Sequence, residues 1–214
     1  MNIKVFTVAL GIVLGATAIS ARAQKTYTEG VVTSNTTIQG NTVEGKKYFS
    51  ADSMAMMYTS GAAAIKILTT ANFSYFVVLV DVSSASIKKA AIAKPAEIDA
   101  IKAAWPKFTF AAGTETKQIS GFNCKKVVAT DTKTNKAYDV WITNDVAVSP
   151  TAVAPYYAGI GGFPIQFTSF GGDGQLSDVT VTGIAGTKAP AGTFGIAADF
   201  EKITMDDLKA MSGG

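Results

Sequence analysis

The sequence contains no histidine and a single cysteine, Cys124, among its 214 residues. Without histidine the chain lacks the commonest general base and the commonest transition-metal ligand, and it cannot form a Ser-His or Cys-His catalytic pair. One cysteine cannot form an internal disulfide, so the fold has to be held by packing. We therefore predict a protein that is not an enzyme and that uses neither a cofactor nor a metal.

The sequence also lacks an apolar run long enough to cross a bilayer. The run from Val5 to Ala18 is shorter than the roughly 20 residues that a spanning helix needs. It follows Lys4 and precedes the small residues around Ala23, which is the order of a secretory signal peptide. We predict a signal peptide over residues 1–23 and export to the periplasm or cell envelope, or secretion. The mature chain would begin at Gln24, without a transmembrane segment and, because Gln24 is not cysteine, without a lipid anchor.

Charged residues are scarce, at 16% of the chain, with a formal net charge of +3. Removing Lys4 and Arg22 with the signal peptide leaves 17 of the 19 basic residues against 16 acidic ones. The lysine pairs at 88–89 and 125–126 are isolated and form no basic face, so we expect no nucleic-acid partner.

Short runs rich in Val, Ile, Thr, Phe and Tyr fill most of residues 24–214, and Gly, Asn, Asp and Ser interrupt them every 8 to 12 residues or so. This pattern predicts one mainly β (α+β) domain of short antiparallel strands. The predicted strands are 27–34, 42–50, 54–59, 63–69, 75–82, 86–91, 107–111, 115–119, 122–131, 137–143, 165–170 and 175–184.

One segment has helical spacing instead: residues 95–105 begin with Pro95 and place Ile98, Ile101 and Trp105 on one stripe. Residues 73–81 read FSYFVVLVD and are apolar at successive positions, so both faces of that strand need cover. We therefore predict a curved antiparallel sheet, a half-open barrel, with this amphipathic helix across its concave face. A second short helix is expected after Thr204, with Asp207 as its capping partner.

Cys124 is read in two ways. On a strand it shares a face with Phe122, while Lys125 points to the opposite face and Lys126 is too far along to activate a thiolate. A buried, inert side chain is favoured over a reactive one. Ser86 and Lys89 match an S-x-x-K motif, but they open a predicted strand and lack the companion motifs of serine–lysine enzymes.

Methionine and aromatic residues exceed what a small β core needs, and flexible thioethers line sites that accept varied apolar shapes. An ordinary core explains most such residues, yet the hollow of a curved sheet is also where a hydrophobic ligand would bind. The candidate lining residues are Met54, Met56, Tyr58, Phe76, Val78, Ile98, Ile101, Trp105, Phe108, Phe110, Trp141, Phe163 and Phe167.

Residues 116–145, TKQISGFNCKKVVATDTKTNKAYDVWITND, are followed by GGFPIQF at 161–167 and FGIAADFEKITMDDL at 194–208. These segments resemble the DUF4412 family of exported bacterial proteins, which is similar to the LolA/LolB lipoprotein-carrier superfamily. The resemblance implies a half-open antiparallel barrel around a helix and assigns no catalytic residues. We expect a non-enzymatic envelope protein that binds a lipid or another hydrophobic ligand; the alternative is a protein-interaction or scaffold module with a side-chain-filled core.

Overall fold

The computed structural model describes residues 24–38, 40–171 and 174–211. Fourteen strands and two helices occur in these ranges, with short 3₁₀ turns at Ser83–Ala85, Pro150–Ala152 and Pro155–Tyr157. The strands are β1 Lys25–Thr26, β2 Gly30–Ile38, β3 Asn41–Phe49, β4 Ser53–Ser60, β5 Ala63–Thr70, β6 Phe76–Val82, β7 Ile87–Ile92, β8 Phe108–Ile119, β9 Phe122–Asp131, β10 Ala137–Thr143, β11 Val146–Ala147, β12 Phe163–Phe170, β13 Leu176–Ala185 and β14 Glu201–Thr204. The helices are α1 Pro95–Ala104 and α2 Met205–Met211.

Twelve strands form one large curved sheet in the order β14-β7-β6-β5-β4-β3-β2-β13-β12-β10-β9-β8, and the sheet does not close into a barrel. Its pairs are antiparallel except for β7 and β14, which run parallel. β1 and β11 form a separate parallel pair. The predicted mainly β fold, with a curved, unclosed antiparallel sheet, is confirmed.

Helix α1 connects β7, next to one border of the sheet, to β8 at the other border. It begins at Pro95 as predicted, and the backbone amide of Lys94 donates to the Glu97 carboxylate at 2.6 Å. The Trp105 ring that follows it lies 4.7 Å from Phe73 and 6.3 Å from Tyr156, measured between ring centroids. α1 therefore packs at the end of the sheet.

A segment without regular secondary structure also packs against the concave face of the sheet. Residues 148–160, here called the cover segment, contribute Val148, Ala152, Ala154, Tyr157 and Ile160 to the main core. The Tyr157 hydroxyl donates to the Thr168 carbonyl oxygen of β12 at 2.8 Å. The ten residues of α1 bury one side chain, Ile98, because the helix is stretched between the two borders of the sheet.

The strand predictions hold with four changes. The first predicted strand, 27–34, lies later in the chain, at Gly30–Ile38. The predicted strands at 107–111 and 115–119 form one strand, β8, whose pairing with β9 shifts register between Ala112 and Thr116. The predicted strand at 165–170 begins two residues earlier, because β12 starts at Phe163. The short strands β1, β11 and β14 were not predicted, since two to four residues carry too little periodicity to stand out.

The second core lies on the outer face of the first half of the sheet. Leu68, Val77 and Leu79 pack there against Phe194, Ile196 and Phe200 of the C-terminal segment. This packing explains why β6 is apolar at successive positions: one of its faces meets the C-terminal segment, and the other, with Phe76 and Val78, belongs to the concave face of the sheet.

Helix α2 starts as predicted. The Asp207 amide donates to the Thr204 hydroxyl at 3.1 Å, and the Thr204 amide donates to the Asp207 carboxylate at 2.9 Å. These reciprocal bonds form a capping box. In the part of the chain that the structure describes, neither helix has the length and apolar character needed to cross a membrane. The predicted signal peptide, residues 1–23, lies outside the described residues.

Candidate ligand-binding site

The concave face of the first half of the sheet is set by the strand register, because residues directly opposite each other on paired strands share a face. Lys47 on β3 lies opposite Val32 on β2 and Met56 on β4. The same row continues through Ile67 on β5 and Val78 on β6. Lys47 is thus a cationic side chain in an otherwise apolar row of the concave face.

The rows on either side complete the surface. One contains Phe49, Met54, Thr69 and Phe76. The other places Ser34 and Tyr58 on either side of Gly45. Met56, Tyr58, Ile67, Phe76 and Val78 are all half-buried, so the concave face keeps partly accessible apolar surface.

A cavity of about 360 Å³ lies between this face, β12, β13 and the cover segment. Its volume falls within the range of about 300 to 1,000 Å³ that small-molecule sites occupy. Apolar side chains on six strands and on the cover segment line it, with serine and threonine hydroxyls between them. The lining residues are Val32, Ser34, Thr36, Val43, Gly45, Lys46, Lys47, Met56, Tyr58, Ser60, Ile67, Val153, Phe167, Ser169, Gly171, Ser177 and Val179.

A second cavity of about 130 Å³ adjoins the first, and Lys47, Met56 and Ile67 line both. The smaller cavity extends toward the β5–β6 turn and is bounded there by Phe73 and Phe76. Thr69 and Thr151 add hydroxyl groups to its wall. Lys47 therefore lies where the two cavities adjoin.

Gly45 opens the larger cavity. It is buried in the middle of β3, where glycine otherwise weakens a strand and often marks the close approach of a ligand or another backbone. A Cβ atom built on Gly45 would lie 3.7 Å from the Met57 carbonyl oxygen and 3.9 Å from the Ser34 hydroxyl, which are ordinary contacts. The backbone thus accepts a side chain here, and the missing side chain leaves its volume to the cavity.

The Lys47 ammonium donates a hydrogen bond to the Val153 carbonyl oxygen of the cover segment at 3.2 Å. Burial lowers the pKa of Lys47 from 10.5 to about 8, so the side chain stays mostly protonated at neutral pH. Burial also raises the pKa of Tyr58. No aspartate or glutamate appears among the described residues that line either cavity.

The structure brings together part of the predicted ligand-binding set. Met54, Met56, Tyr58, Phe76 and Val78 share the concave face. Among the predicted residues, those that line one or both cavities are Met54, Met56, Tyr58, Phe76 and Phe167.

The other predicted residues lie elsewhere. Ile98, Ile101 and Trp105 belong to α1 and its end, and Phe163 is fully packed in the main core at 1% exposure. Phe108 stacks on Tyr157 with a centroid distance of 5.4 Å, and Phe110 is next to it at 6.2 Å. Through these ring contacts the cover segment packs against the second half of the sheet.

Trp141 faces away from the cavity. It alternates along β10 with Val140 and Ile142, which are both fully buried in the core. Its ring lies under the Lys117 ammonium at 4.0 Å, and Lys117 also donates to the Gln166 side chain. Trp141 is therefore part of the outer face, with a cation–π contact typical of a surface aromatic.

The sequence did not indicate most of the other cavity residues, among them Gly45, Lys47 and Val153. Val43, Gly45, Lys47 and Phe49 occupy alternate positions of β3, so the inward phase was present in the sequence. Lys46 is next to Lys47, and Tyr48 is next to Phe49, so the two faces of the strand carry similar residue types. The sequence therefore did not show which face points inward. Val153 carried no signal, since the cover segment has no strand or helix periodicity.

Cys124 is buried at 3% exposure, as predicted, and its thiol donates to the Phe122 carbonyl oxygen at 3.5 Å. Burial raises the pKa of this thiol to about 11. Lys125 is exposed, and Lys126 pairs with Glu115 at 2.9 Å and Asp139 at 2.8 Å instead of with the sulfur. Lys117, opposite Cys124 on β8, lowers the pKa of the thiol, but burial, with Asp145, outweighs this effect, so the thiol is not activated as a nucleophile.

The S-x-x-K match at Ser86 and Lys89 has a structural explanation. Lys89 pairs with Glu201 of β14, while Ser86 has a left-handed backbone at the end of a 3₁₀ turn. In the described residues, no group of three or more Cys, Asp and Glu side chains is arranged to hold a metal ion.

No protein-family model and no curated protein matches the chain. One similar solved structure is PNGF-II in space group C2, with 14% identity and a TM-score of 0.50 over 86% of this chain. PNGF-II in space group P2₁ is also similar, with 15% identity and a TM-score of 0.52 over 86% of this chain. The chain spans about a third, 32% and 33%, of those PNGF-II chains. An uncharacterized conserved protein from Thermus thermophilus is 10% identical, with a TM-score of 0.50 over 83% of this chain and 90% of its own. At these identities the likenesses show the fold alone.

Proposed function

We propose that this protein is a non-enzymatic exported protein that binds a lipid or another hydrophobic ligand on the concave face of its sheet. The observation that carries the proposal is the cavity of about 360 Å³ between the sheet and the cover segment. The proposed place of action, the periplasm or cell envelope, rests on the signal-peptide pattern of residues 1–23 and on the resemblance to exported DUF4412 proteins.

The size of the larger cavity suits a small amphiphile. At about 30 Å³ for each water-sized group, its volume corresponds to roughly twelve such groups, or an acyl chain of about ten carbons with part of its head group. Met56 and Ile67 provide a deformable and a rigid apolar contact, and Phe167 provides an aromatic one. Burial of an apolar chain against these side chains supplies the driving force for binding.

The alternative is a protein-interaction or scaffold module whose hollow is filled by side chains. The cavity favours ligand binding over this alternative, since Gly45 leaves space that a larger residue would fill. The pull-down of one stable protein partner by a protein that binds no apolar probe would favour the scaffold.

The test is the binding of the neutral fluorescent probe N-phenyl-1-naphthylamine to the purified protein and to a Gly45→Leu variant. A leucine at this position enters the cavity without a backbone clash, so we expect the variant to stay folded and to lose at least about tenfold in probe affinity, or 1.4 kcal/mol. Gly195→Leu is the matched control, because Gly195 is exposed and its added Cβ would also have an ordinary contact, at 3.9 Å. The proposal is refuted by a wild-type protein that does not bind the probe, or by equal binding to wild type and to a folded Gly45→Leu variant.

A further inference from the structure

Among the described residues, Lys47 has one hydrogen-bond partner, the Val153 carbonyl oxygen at 3.2 Å. An ammonium group has three donors, so the side chain can make two more hydrogen bonds. The row around it is apolar, with Val32 and Met56 directly opposite. A protonated amine in such surroundings is costly without a counter-charge.

None of the described residues that line the two cavities supplies this counter-charge. Among the described cavity residues, the other titratable side chains are Lys46 and Tyr58 in the larger cavity, and the smaller cavity has none besides Lys47. By contrast, Lys89 pairs with Glu201, and Lys126 pairs with Glu115 and Asp139. Lys47 is placed to receive an anion from outside the chain.

The volumes of the two cavities suit the two parts of an anionic amphiphile, its head group and its apolar chain. The smaller one, at about 130 Å³, has the volume of roughly four waters, which is enough for a carboxylate. The larger one takes an apolar chain. Because Lys47 lines both, an anionic group bound to its ammonium would lie where the tail enters the larger space.

Building on the proposed function, we propose that the ligand is a single-chain amphiphile with a carboxylate head group, a medium-chain fatty acid in chemical class. The carboxylate pairs with the Lys47 ammonium at the junction of the cavities, and the chain lies against Met56, Ile67 and Phe167. Lys47 thus determines which amphiphiles bind, and the apolar wall supplies the greater part of the contact area.

The experiment compares decanoate with 1-decanol, which has the same chain length and no charge, as competitors that displace N-phenyl-1-naphthylamine at pH 7. A charge-assisted hydrogen bond contributes about 1.5 to 3 kcal/mol, so decanoate should displace the probe at a concentration roughly 10- to 100-fold lower than decanol. In Lys47→Met this preference should fall to within about twofold, with decanol binding retained. Lys47→Arg, which keeps the charge, and Lys125→Met, which removes an exposed lysine from β9, should both keep it.

Equal displacement of the probe by decanoate and decanol from the wild-type protein overturns the inference and leaves the proposed function standing. A preference for decanoate that persists in Lys47→Met also overturns it, because another group would then hold the carboxylate. A wild-type protein that does not bind the probe overturns the inference together with the proposed function. The wild-type comparison decides the matter even if the Met variant does not fold.

Discussion

The buried ammonium of Lys47 makes the stability of the protein depend on pH in a direction that can be worked out. Burial lowers the pKa of Lys47 in the folded state to about 8, compared with 10.5 in an unfolded chain. Below pH 8 both states hold the proton, and the cost of burying the charge is fully present. Between pH 8 and 10.5 the folded state loses the proton first, so the unfolded state binds more protons and stability rises with pH.

The size of the effect follows from the same two pKa values, since each pH unit corresponds to 1.36 kcal/mol. The difference between 10.5 and about 8 gives an upper limit of about 3 kcal/mol. Methionine has a similar length and no charge, and replacing a buried ion by an apolar residue is often stabilising by roughly 1 to 4 kcal/mol. We expect Lys47→Met to be more stable than the wild type by roughly 1 to 3 kcal/mol at pH 7.

The measurement is urea-induced unfolding of wild type and Lys47→Met at pH 7 and pH 10, with the midpoint and the slope determined for each. The stability advantage of the variant should shrink by a large part at pH 10, because the wild-type amine is then neutral in the folded state. Other groups that titrate in this range, such as Lys66, are common to both proteins and cancel in the difference. A difference between the two proteins that is the same at both pH values would refute the reasoning.

Two further predictions concern groups outside the cavities. Cys124 should react with dithionitrobenzoate, a thiol reagent, far more slowly in the native protein than in urea at pH 8. The reason is that the side chain is buried and the pKa of its thiol is raised to about 11. Labelling of the native protein at the rate of the unfolded protein would contradict this prediction. Tyr157→Phe should keep the ring stacked on Phe108 but lose the hydrogen bond to the Thr168 carbonyl oxygen, which lowers the free energy of unfolding by about 1 kcal/mol in urea denaturation. Tyr138→Phe, a half-buried tyrosine of the same aromatic cluster, is the control and should change stability less.

Much of the fold could be predicted from the sequence because its elements carry local signals. β4, β5, β9 and β10 were placed to within one residue at each end, since β-branched and aromatic runs bounded by turn residues define them. α1 was found from the spacing of Ile98 and Ile101 and from Pro95 at its first position. The start of α2 was found from the pairing of Thr204 with Asp207.

The rest depends on contacts between distant residues. The cover segment has neither strand nor helix periodicity, so the sequence could not show that Tyr157 would pack against Phe108. The inward orientation of Lys47 was hidden for a different reason. The adjacent residue, Lys46, is also a lysine, so the sequence does not show which of the two points inward. A lysine is expected to face solvent unless the pairing register on both sides is known.

The sheet joins two groups of strands through one distant pairing. Most antiparallel pairs connect strands that are close neighbours in the chain, but β2 pairs with β13, so that Thr37 lies opposite Asp178. Closing so long a stretch of chain costs entropy, and contacts of this kind slow folding. The strands β2 to β7 can form a meander early, and so can β8 to β10.

The larger cavity is lined from both sides of this pairing, with Val32 on β2 and Val179 on β13. It therefore exists only after the distant strands have met. A ligand bound in this cavity would contact both groups of strands and stabilise the pairing of β2 with β13. Loss of the ligand would therefore weaken this pairing first.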